Sequence, residues 1–506
     1  MNVSVASGAV LGIDAYKVVV EIDMSTGMPS FDMVGLPEGA VRESRVRVRS
    51  ALKNSGYPYP LYSRRITINL APADIRKEGT AFDLPIALGL LGGFGVLPPL
   101  SLQDSLFVGE LALSGEVRPV RGVLSIAAMA QREGISTLVV PLENAPEASV
   151  VEGLQVYGIS SLGEIVDMLL GEAEKPPTEP TETWNDLPSY RIDMSDVKGQ
   201  EHVKRAMEVA ASGNHNILMV GPPGSGKTML ARRLSTLLPP LQFMEALETT
   251  KVYSVSGLLK EHGLVRERPF RTPHHTISDA GLVGGGAIPR PGEISLAHHG
   301  VLFLDELPEF RRNVLEVLRQ PLEERSVTLA RSAVTLTYPA NFLLVAAMNP
   351  CPCGGGSQNC RCSSIEVQRY RSRISGPLLD RIDLHIQVAN VPFHDLKDRR
   401  KGESSENIRR RVMQARQRQF ERLSHKGITT NAAMEASHIQ EHCVVEDESL
   451  QLLERAVHRF DMSARAYHRI LKVSRTIADL EGQDTIQPNH IAEAIQYRSL
   501  DRRLSF

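Results

Sequence analysis

A short apolar run that passes into a glycine-rich loop constrains the fold of this chain more than any other feature. Ile217–Val220 is typical of a buried strand, and Gly221-Pro-Pro-Gly-Ser-Gly-Lys-Thr228 follows it directly. Glycines let the backbone point its N–H groups at phosphate oxygens, and the N-terminus of the next helix adds partial positive charge. We therefore predict a phosphate-binding loop made of Gly221, Pro222, Pro223, Gly224, Ser225, Gly226, Lys227 and Thr228.

Two acidic residues complete the predicted site. In such a loop Lys227 would reach the β and γ phosphates of ATP, and the Thr228 hydroxyl would bind Mg²⁺. The apolar run Val301–Leu304 predicts a buried strand that ends in Asp305 and Glu306. We assign Asp305 to Mg²⁺ and Glu306 to polarising the water that attacks the γ-phosphate. ATP and Mg²⁺ are therefore the expected substrate and cofactor.

Composition limits where the protein works and what it binds. The chain has 506 residues, enough for about three domains, and a net charge of −2. Nucleic acid would therefore need a local basic patch rather than a basic protein. The longest uncharged stretch, residues 84–103, contains three prolines and leaves too short a helix to cross a bilayer. We expect no secretion signal, because the N-terminus lacks a basic start followed by an apolar run. We predict a cytoplasmic protein that does not contact membranes.

The order of the elements predicts an α/β fold with a domain boundary near residue 180. Residues 171–190 are rich in Pro, Glu and Thr, which is typical of a linker. Strand and helix patterns alternate before the linker, and apolar strands without polar alternation follow it, which predicts a parallel sheet covered on both faces. Helical patterns then continue to the C-terminus. The expected domains are 1–170, the linker 171–190, a core at 191–391 and a helical domain at 392–506.

Four of the five cysteines lie close together, in Cys351-Pro-Cys353 and Cys360-Arg-Cys362. Zn²⁺ binds four thiolates tetrahedrally, and the glycines between the two pairs allow the chain to fold back. The C-x-C pairs are tighter than the usual spacing of zinc ligands. We expect a structural zinc ion at Cys351, Cys353, Cys360 and Cys362, with free thiols or a redox pair as the alternatives.

Basic residues cluster in the C-terminal part of the chain, at 397–401 and at six arginines that follow. Such a cluster could neutralise nucleic-acid phosphates, or it could form a solvated helix face. The sequence leaves both alternatives open for Arg409, Arg410, Arg411, Arg416, Arg418 and Arg422.

Several motifs resemble those of AAA+ ATPases. They are Ser195–Gln200, Ala346–Pro350 and Gly376–Asp383. Arg271–Thr276 and Gly284–Ala297 are more specific, because they resemble the magnesium-chelatase-like branch, and within it the ComM (YifB) family. The resemblance covers nearly the whole chain. It implies an AAA+ parallel sheet with a helical lid.

The resemblance also implies roles for three further residues. Asn349 would be the polar sensor that orients the attacking water and the γ-phosphate. Arg381 would be an arginine finger presented to the nucleotide of a neighbouring subunit, and Arg465 would be the second sensor on the lid. An arginine acting between subunits implies a ring, here a homo-hexamer. A surface salt bridge is the alternative role for each arginine.

Two insertions of the family would face a substrate in the pore of the ring. The first is expected between Val252 and Pro291 and includes the glycine-rich Leu282–Ile288. The second is a hairpin around Ser326–Thr337, with Arg331 near its tip. Arg331 is a candidate contact with DNA, and a solvated side chain is the alternative.

The N-terminal domain resembles the proteolytic domain of Lon, a mixed α+β domain similar to ribosomal S5 domain 2. Ala81 occupies the position of the nucleophilic serine, and Leu124 occupies that of the lysine. Because this chemistry needs both a nucleophile and its base, we expect an assembly or binding module without protease activity.

The family resemblance implies a ring-forming motor driven by Mg·ATP that acts on single-stranded and branched DNA. It would be a helicase that promotes branch migration and recombination during natural transformation, with recombination proteins as candidate partners. One alternative is a magnesium-chelatase-type motor subunit that remodels a protein partner, although the Lon-like domain and the cysteines argue against it. A protein unfoldase is the second alternative, and the missing serine and lysine argue against cleavage within the same chain.

Overall fold

The computed structural model describes residues 2–57, 64–75, 77, 79–179, 190–259, 263–286, 289–330, 335–355, 360–392, 402–460 and 462–498. The chain forms two compact units. Unit 1 comprises Met1–Asp186 and Phe243–Val265, and unit 2 comprises Leu187–Gln242 and Arg266–Phe506. The segment 243–265 lies in the sequence region predicted as the 191–391 core, yet it belongs to unit 1. The boundary between units falls within the predicted linker.

Unit 1 is built on a seven-stranded mixed sheet of order β3-β4-β2-β1-β5-β8-β9. β1, β2 and β4 are antiparallel neighbours, whereas β5, β8 and β9 run parallel to β1. β6 and β7 form a separate pair. The strands are β1 (Asn2–Leu11), β2 (Asp14–Thr26), β3 (Ser30–Val34), β4 (Arg64–Ala71), β5 (Ser105–Phe107), β6 (Glu110–Leu111), β7 (Val117–Arg118), β8 (Thr137–Pro141) and β9 (Gln155–Ile159).

Helices cover this sheet. They are α1 (Gly39–Asn54), α2 (Asp83–Gly93), α3 (Val123–Arg132), α4 (Ala145–Ala148), α5 (Leu162–Leu170) and, later in the chain, α8 (Phe243–Ser256). α2 is buried along its whole length, because its residues are almost all apolar or glycine. α1 buries only Val41, Ser44, Val48, Ala51 and Leu52, a spacing that places one face on the core.

The sheet of unit 2 is parallel throughout, in the order β11-β14-β17-β10-β18. Its strands are β10 (Ile217–Val220), β11 (Phe270–Arg271), β14 (Val301–Leu304), β17 (Leu343–Met348) and β18 (Leu384–Gln387). β10, β14 and β17 are buried at every position, which explains their unbroken apolar sequences. The predicted parallel sheet is confirmed. Two antiparallel pairs lie outside it, β12 (Gly284–Gly285) with β13 (Arg290–Pro291) and β15 (Ser326–Ala330) with β16 (Thr335–Pro339).

The helices of unit 2 are α6 (Glu201–Gly213), α7 (Lys227–Leu237), α9 (Asp279–Val283), α10 (Glu293–Leu296), α11 (Arg312–Glu316), α12 (Arg319–Glu324), α13 (Ser364–Arg371), α14 (Gly376–Leu379), α15 (Ser405–Leu423), α16 (Ala436–His442), α17 (Asp447–Phe460), α18 (Ala464–Glu481) and α19 (Pro488–Gln496). Short 3-10 turns span Pro99–Leu102 and Leu142–Asn144 in unit 1, and Met194–Asp196, Leu307–Glu309, Ser424–Lys426 and Asn431–Ala433 in unit 2. The predicted helical C-terminal region is confirmed. No described helix is both long and apolar enough to cross a bilayer.

Most arginines of α15 hold this helix against the rest of unit 2. Arg411 pairs with Glu208 and Glu403, and Arg416 donates to the carbonyl oxygen of Ala211 at 2.7 Å. The guanidinium of Arg422 pairs at 2.7 Å with the buried carboxylate of Asp479, and the side chains of Arg409 and Arg418 donate to backbone carbonyls. These side chains are neither a free basic patch nor a purely solvated face. Residues 397–401 lie outside the described residues.

Candidate active site

The predicted phosphate loop connects β10 to α7, as the sequence requires. Gly224 and Gly226 have φ angles of +78° and +90°, which glycine adopts without strain. A Cβ on Gly221 would lie 2.3 Å from the carbonyl oxygen of Val388. The loop therefore needs glycine at all three positions, two for the turn and one for close packing. α7 begins at Lys227, so its N-terminus faces the loop.

Lys227 is held in place by acceptors within its own unit. Its Nζ donates to the carbonyl oxygens of Gly221 and Pro222 at 2.7 and 2.9 Å, and to Asn349 Oδ1 at 3.2 Å. Burial lowers the pKa of Lys227, and the nearby carboxylates of Asp305 and Glu306 oppose that shift. The ammonium group is therefore positioned in the cavity with bonds that phosphate oxygens can replace.

The two side chains assigned to Mg²⁺, Thr228 of α7 and Asp305 after β14, are in direct contact. Thr228 Oγ1 donates to Asp305 Oδ2 at 2.7 Å, and the other oxygen of Asp305 accepts from the Glu306 N–H at 2.9 Å. Adjacent oxygen ligands of an octahedral Mg²⁺ ion lie about 2.9 Å apart, because each bond is about 2.0–2.1 Å long. The donor types and their spacing fit a magnesium ion bound between Thr228 and Asp305.

One cavity of about 440 Å³ brings these residues together. It lies where the carboxyl ends of β10, β14 and β17 meet, which is where parallel sheets bind their ligands. Glu306 borders this cavity with the left-handed φ of +52°. The lining residues are Pro223, Gly224, Gly226, Lys227, Thr228, Met229, Asp305, Glu306, Met348 and Asn349.

His275 is a neighbour of the site to which the sequence assigned no role. Its Nδ1 lies 3.5 Å from Glu306 Oε2, and it does not line the cavity. The only signal in the sequence was the motif Arg271–Thr276, which indicated the family without indicating what the histidines contact.

The two predicted arginines do not line this chain's own cavity. Arg381 is 6% exposed, donates to the Pro377 carbonyl oxygen at 2.6 Å and pairs with Glu323. Its Nε has no hydrogen-bond partner among the described residues. Arg465 is exposed in the first turn of α18, and its side chain forms no ion pair with any described residue. Any contact of either arginine with nucleotide would therefore need a rearrangement or a second subunit.

The four clustered cysteines lie next to the phosphate loop. Their sulfur atoms are all within 4.8 Å of one another, and Cys351 Sγ is 3.4 Å from Cys353 Sγ and 3.5 Å from Cys360 Sγ. Four thiolates around zinc lie about 3.8 Å apart, given Zn–S bonds of about 2.3 Å. The backbone N–H groups of Arg361 and Gly355 lower the pKa of Cys353 to about 6, which favours the metal-binding thiolate. The arrangement fits a tetrahedral metal ion.

The glycine-rich part of the first predicted insertion and the second insertion lie side by side in unit 2, whereas residues 252–265 of the first belong to unit 1. The Tyr338 hydroxyl of β16 donates to the Pro289 carbonyl oxygen at 2.7 Å, and burial raises the pKa of Tyr338 to about 12. A Cβ on Gly284 would lie 3.1 Å from Leu329 of β15. The hairpin was predicted around Ser326–Thr337, and β15 and β16 lie there. Arg331, the candidate DNA contact, lies outside the described residues.

Comparison with known protein families identifies the same parts of the chain. The family model "Magnesium chelatase, subunit ChlI" matches residues 193–396, and its C-terminal model matches residues 402–498. A further model, "Subunit ChlI of Mg-chelatase", matches residues 20–144. Family similarity therefore extends over both units.

Individual relatives agree with this assignment. The competence protein ComM of Haemophilus influenzae is 46% identical over 507 residues, covering 99% of this chain and 98% of that protein. YifB of Escherichia coli is 45% identical over 499 residues, covering 98% and 97%. Lon protease of Mycolicibacterium smegmatis is 27% identical over 187 residues, only 34% of this chain and 23% of that enzyme. The chain therefore belongs to the ComM/YifB family of magnesium-chelatase-like AAA+ proteins.

Proposed function

We propose that this protein is a cytoplasmic, ring-forming ATPase that drives branch migration of DNA, and so promotes recombination during natural transformation. The proposal of ATP hydrolysis rests on one cavity that brings the predicted catalytic side chains together. They are Lys227, Thr228, Asp305, Glu306 and Asn349. The DNA part is supported by 46% identity to a protein named for competence, and by the adjoining glycine-rich loop and hairpin.

In the proposed reaction a water molecule attacks the γ-phosphate in line with the leaving β-phosphate oxygen. The ammonium of Lys227 exchanges its carbonyl acceptors for phosphate oxygens and stabilises the charge that develops on them. Thr228 and Asp305 would hold Mg²⁺, which neutralises phosphate charge when bound. Glu306 accepts a hydrogen bond from the water, and Asn349 orients it. The ammonium of Lys227 and the amide of Asn349 are already in contact at 3.2 Å.

Arg381 would complete the site of a neighbouring subunit in a homo-hexameric ring. To do so it must leave Glu323, with which it pairs in the single chain. Its Nε atom has no hydrogen-bond partner in the described part of the chain, and this supports the role, because an arginine with an unsatisfied buried donor gains a hydrogen bond when it moves to a phosphate. Arg465 on α18 would act as the second sensor.

ATP hydrolysis measured with and without DNA tests the proposal. We expect single-stranded DNA and four-way junctions to raise turnover at fixed salt, and the wild-type chain to convert junctions into duplex products. Lys227→Ala should abolish both activities. Turnover that ignores every DNA would leave an ATPase but would contradict the helicase proposal.

A magnesium-chelatase-type motor remains the second candidate, because all three family models carry that description. The 67 kDa chelatase subunit of Heliobacterium mobile is 24% identical over 60% of this chain. ATP turnover stimulated by a protein partner rather than by DNA would favour this function. Degradation of casein with ATP would instead favour an unfoldase coupled to a protease.

Unit 1 is proposed to be a binding or assembly module without protease activity. Leu124, in the position of the Lon lysine, is fully buried in α3 among apolar side chains. Ala81, in the position of the serine, packs against the same apolar cluster. Neither side chain can supply a nucleophile or a base.

We also propose that Cys351, Cys353, Cys360 and Cys362 hold a structural zinc ion. The cluster follows the strand end that carries Asn349, and a Cβ on Gly354 would come within 2.7 Å of Pro223 in the phosphate loop. Zinc would therefore fix one wall of the nucleotide cavity.

Metal analysis of the purified chain tests this zinc proposal. We expect about one zinc per chain, the stoichiometry of a four-thiolate site. The double variant C353S/C360S should lose the metal, whereas Cys443→Ala, which removes the cysteine outside the cluster, should keep it. A metal-free wild-type chain purified under reducing conditions would contradict the proposal.

A further inference from the structure

The carboxylate of Asp383 lies two residues after Arg381 in the sequence and is buried, with 5% of the residue exposed. Arg469 of α18 donates to its Oδ1, and the backbone N–H of Asn216 donates to its Oδ2 at 3.0 Å. Burial opposes ionisation of this carboxyl, yet Arg469 and His215 hold the pKa of Asp383 well below its usual range. Asp383 is therefore a buried anion, and Arg469 is its ion-pair partner.

The C-terminal helices make a second contact with the same stretch of chain. Arg498, which follows α19 and is 3% exposed, donates to the Ile382 carbonyl oxygen at 2.6 Å. The carbonyl oxygen of Tyr497 accepts a hydrogen bond of 2.7 Å from the His385 N–H. The segment 382–385 is thus held both from α18 and from the end of α19.

The parallel sheet holds this segment from the other side. Asn216 directly precedes β10, the strand that leads into the phosphate loop, and its Nδ2 donates to the Arg381 carbonyl oxygen at 3.1 Å. The Asn216 carbonyl oxygen accepts from the N–H groups of Asp383 and Leu384, each at 3.0 Å. The backbone that carries Arg381 is therefore positioned by the C-terminal helices as well as by the sheet.

A buried histidine connects Asp383 to a second point on α18. His215 is fully buried, and its Nδ1 lies 3.5 Å from Asp383 Oδ2. Its Nε2 is 2.7 Å from the hydroxyl oxygen of Thr476, two turns further along α18 than Arg469. Buried polar groups that satisfy one another define one arrangement of their elements. These contacts therefore fix how α18 lies along the segment that follows Arg381.

α18 also carries the arginine that is proposed to be the second sensor. Arg465 is exposed in the first turn of α18 and precedes Arg469 by four residues, which is about one helical turn. Side chains with this spacing lie on the same face of a helix. A movement of α18 that brings Arg465 to a nucleotide would therefore also move Arg469, and with it the contact to Asp383.

We propose that Arg469 and Asp383 are positioning residues through which the C-terminal helices of one subunit place Arg381 at the nucleotide of the neighbouring subunit. The occupancy of one site thereby sets the rate of ATP hydrolysis at the next. This inference rests on the proposed function, in which Arg381 acts between subunits and Arg465 contacts the nucleotide of its own subunit. It adds a physical connection between these two arginines.

Steady-state ATP hydrolysis by Arg469→Gln tests the inference first. We expect kcat to fall at least about tenfold, because a small misplacement of a charge-stabilising group slows the chemical step. The KM for ATP should stay within about twofold, because Arg469 does not line the cavity. Arg469→Lys, which keeps the charge, should recover part of the rate. Arg455→Ala, which removes an exposed cation of α17, should behave as the wild type.

A double variant separates positioning from stability. Arg469→Gln leaves the carboxylate of Asp383 buried without its ion-pair partner, which destabilises a folded protein. The double variant D383N/R469Q removes both charges, and its melting temperature should return towards that of the wild type. Its kcat should nevertheless remain low, because the connection to Arg381 is still broken. Recovery of kcat together with the melting temperature would overturn the inference.

Mixed rings test whether Arg469 acts on the neighbouring site. Lys227→Ala subunits have a disabled phosphate loop but retain Arg381 and Arg469. In a randomly assembled ring of equal parts Arg469→Gln and Lys227→Ala, about a quarter of the interfaces should join an intact loop to a correctly placed Arg381. We expect turnover to rise to about a quarter of the wild-type rate, several-fold above the same amount of Arg469→Gln alone. If Arg469 instead served its own nucleotide, mixing would give no gain.

A parallel mixture of Arg381→Ala with Lys227→Ala distinguishes the two possible failures. Recovery in that mixture, without recovery of Arg469→Gln, would overturn this inference and leave the proposed function standing. Recovery in neither mixture, under conditions where subunits exchange, would refute the proposed action of Arg381 between subunits and this inference with it. A wild-type kcat for Arg469→Gln would overturn the inference whatever the mixtures show.

A double-mutant cycle tests whether the effect of Arg469 passes through Arg381. In Arg381→Ala, adding Arg469→Gln should lower the slow residual rate, measured in single turnovers, by less than about twofold. A full tenfold loss in this background would show that Arg469 acts elsewhere and would contradict the inference.

Discussion

At the scale of single residues, Lys227 is buried and yet must carry a positive charge. Burial favours its neutral form, whereas Asp305 and Glu306 favour the ammonium ion that phosphate binding requires. The carbonyl groups of Gly221 and Pro222 satisfy the ammonium hydrogens until a phosphate replaces them. The ammonium group is thus held at the loop, where its hydrogen bonds can pass from the carbonyl oxygens to a phosphate.

Replacing this side chain should therefore abolish turnover. We expect Lys227→Ala to lower kcat by about 100-fold or more, the usual effect of removing a preorganised group that stabilises transition-state charge. Phosphate release assays measure this directly. Arg232→Ala is a matched control, because Arg232 is an exposed cation on the same helix, and it should retain activity. Equal losses in both variants would contradict the assignment.

Glu147 of unit 1 predicts a dependence of stability on pH. Burial raises its pKa from 4.5 to about 7, even though Ser254 and Asn144 donate hydrogen bonds to it at 2.9 Å. A carboxyl whose pKa is raised on folding favours the folded state at low pH, and this contribution is lost as the pH rises from about 4.5 to about 7. Ionisation of Glu147 should therefore destabilise unit 1 above neutrality.

Glu147→Gln tests this dependence. At pH 8 we expect the variant to be more stable than the wild type, by at most about 3 kcal/mol, and at pH 5 to be close to it. Denaturant unfolding between pH 5 and pH 8 measures the difference. Glu143→Gln, an exposed neighbour, should show no such trend. A stability difference that does not vary with pH would refute the prediction.

At the scale of elements, the pairing of β12 with β13 depends on one glycine. Gly284 has a φ of +111°, and a Cβ there would lie 2.3 Å from the Arg290 carbonyl oxygen. We expect Gly284→Ala to disrupt this pairing and to abolish DNA stimulation, while basal ATP turnover stays within about twofold, because only local backbone strain is added.

ATPase assays with and without single-stranded DNA measure this effect. Gly39→Ala provides the control, since a Cβ on Gly39 meets no atom within 4 Å. Normal DNA stimulation in Gly284→Ala would show that the pairing of β12 with β13 is not needed for the response to DNA.

The sequence was most informative where local chemistry determines structure. The strand–loop–helix around Lys227 was predictable because its glycines satisfy a local backbone demand, and β14 and β17 were predictable because both of their faces are buried. Contacts between distant segments left no local signal. The pairing of Arg381 with Glu323 and the approach of His275 to Glu306 depend on how elements pack, and an apolar pattern does not specify the packing partner. For the same reason the periodicity of α8 could not indicate which unit it joins.

At the scale of the whole molecule, the proposed ring makes each active site the product of two subunits. Lys227→Ala disables the phosphate loop of the subunit that carries it. Arg381→Ala removes the arginine that this subunit would present to the nucleotide of its neighbour. Each variant alone should be inactive. When the two are mixed, about a quarter of the interfaces of a randomly assembled ring should combine an intact loop with an intact finger.

Mixing the two purified variants should therefore restore a fraction of the wild-type ATPase activity. The control mixes Lys227→Ala with a double variant that lacks both side chains, which cannot form a complete site. Recovery in the first mixture alone would support an arginine that acts between subunits. No recovery, under conditions where the subunits exchange, would assign Arg381 to its own chain.

Because residues 243–265 belong to unit 1, we expect that a cut within the predicted linker will not separate the two units. α8 packs Leu247 on the apolar core of unit 1, and Ser254 donates to Glu147 there. A protease site engineered between residues 179 and 190 would cut the backbone once, yet the fragments should co-elute from a sizing column. Genes encoding the two fragments separately should likewise yield a reassembled protein, whereas the C-terminal fragment alone should be prone to aggregation, because α8 would expose its apolar face.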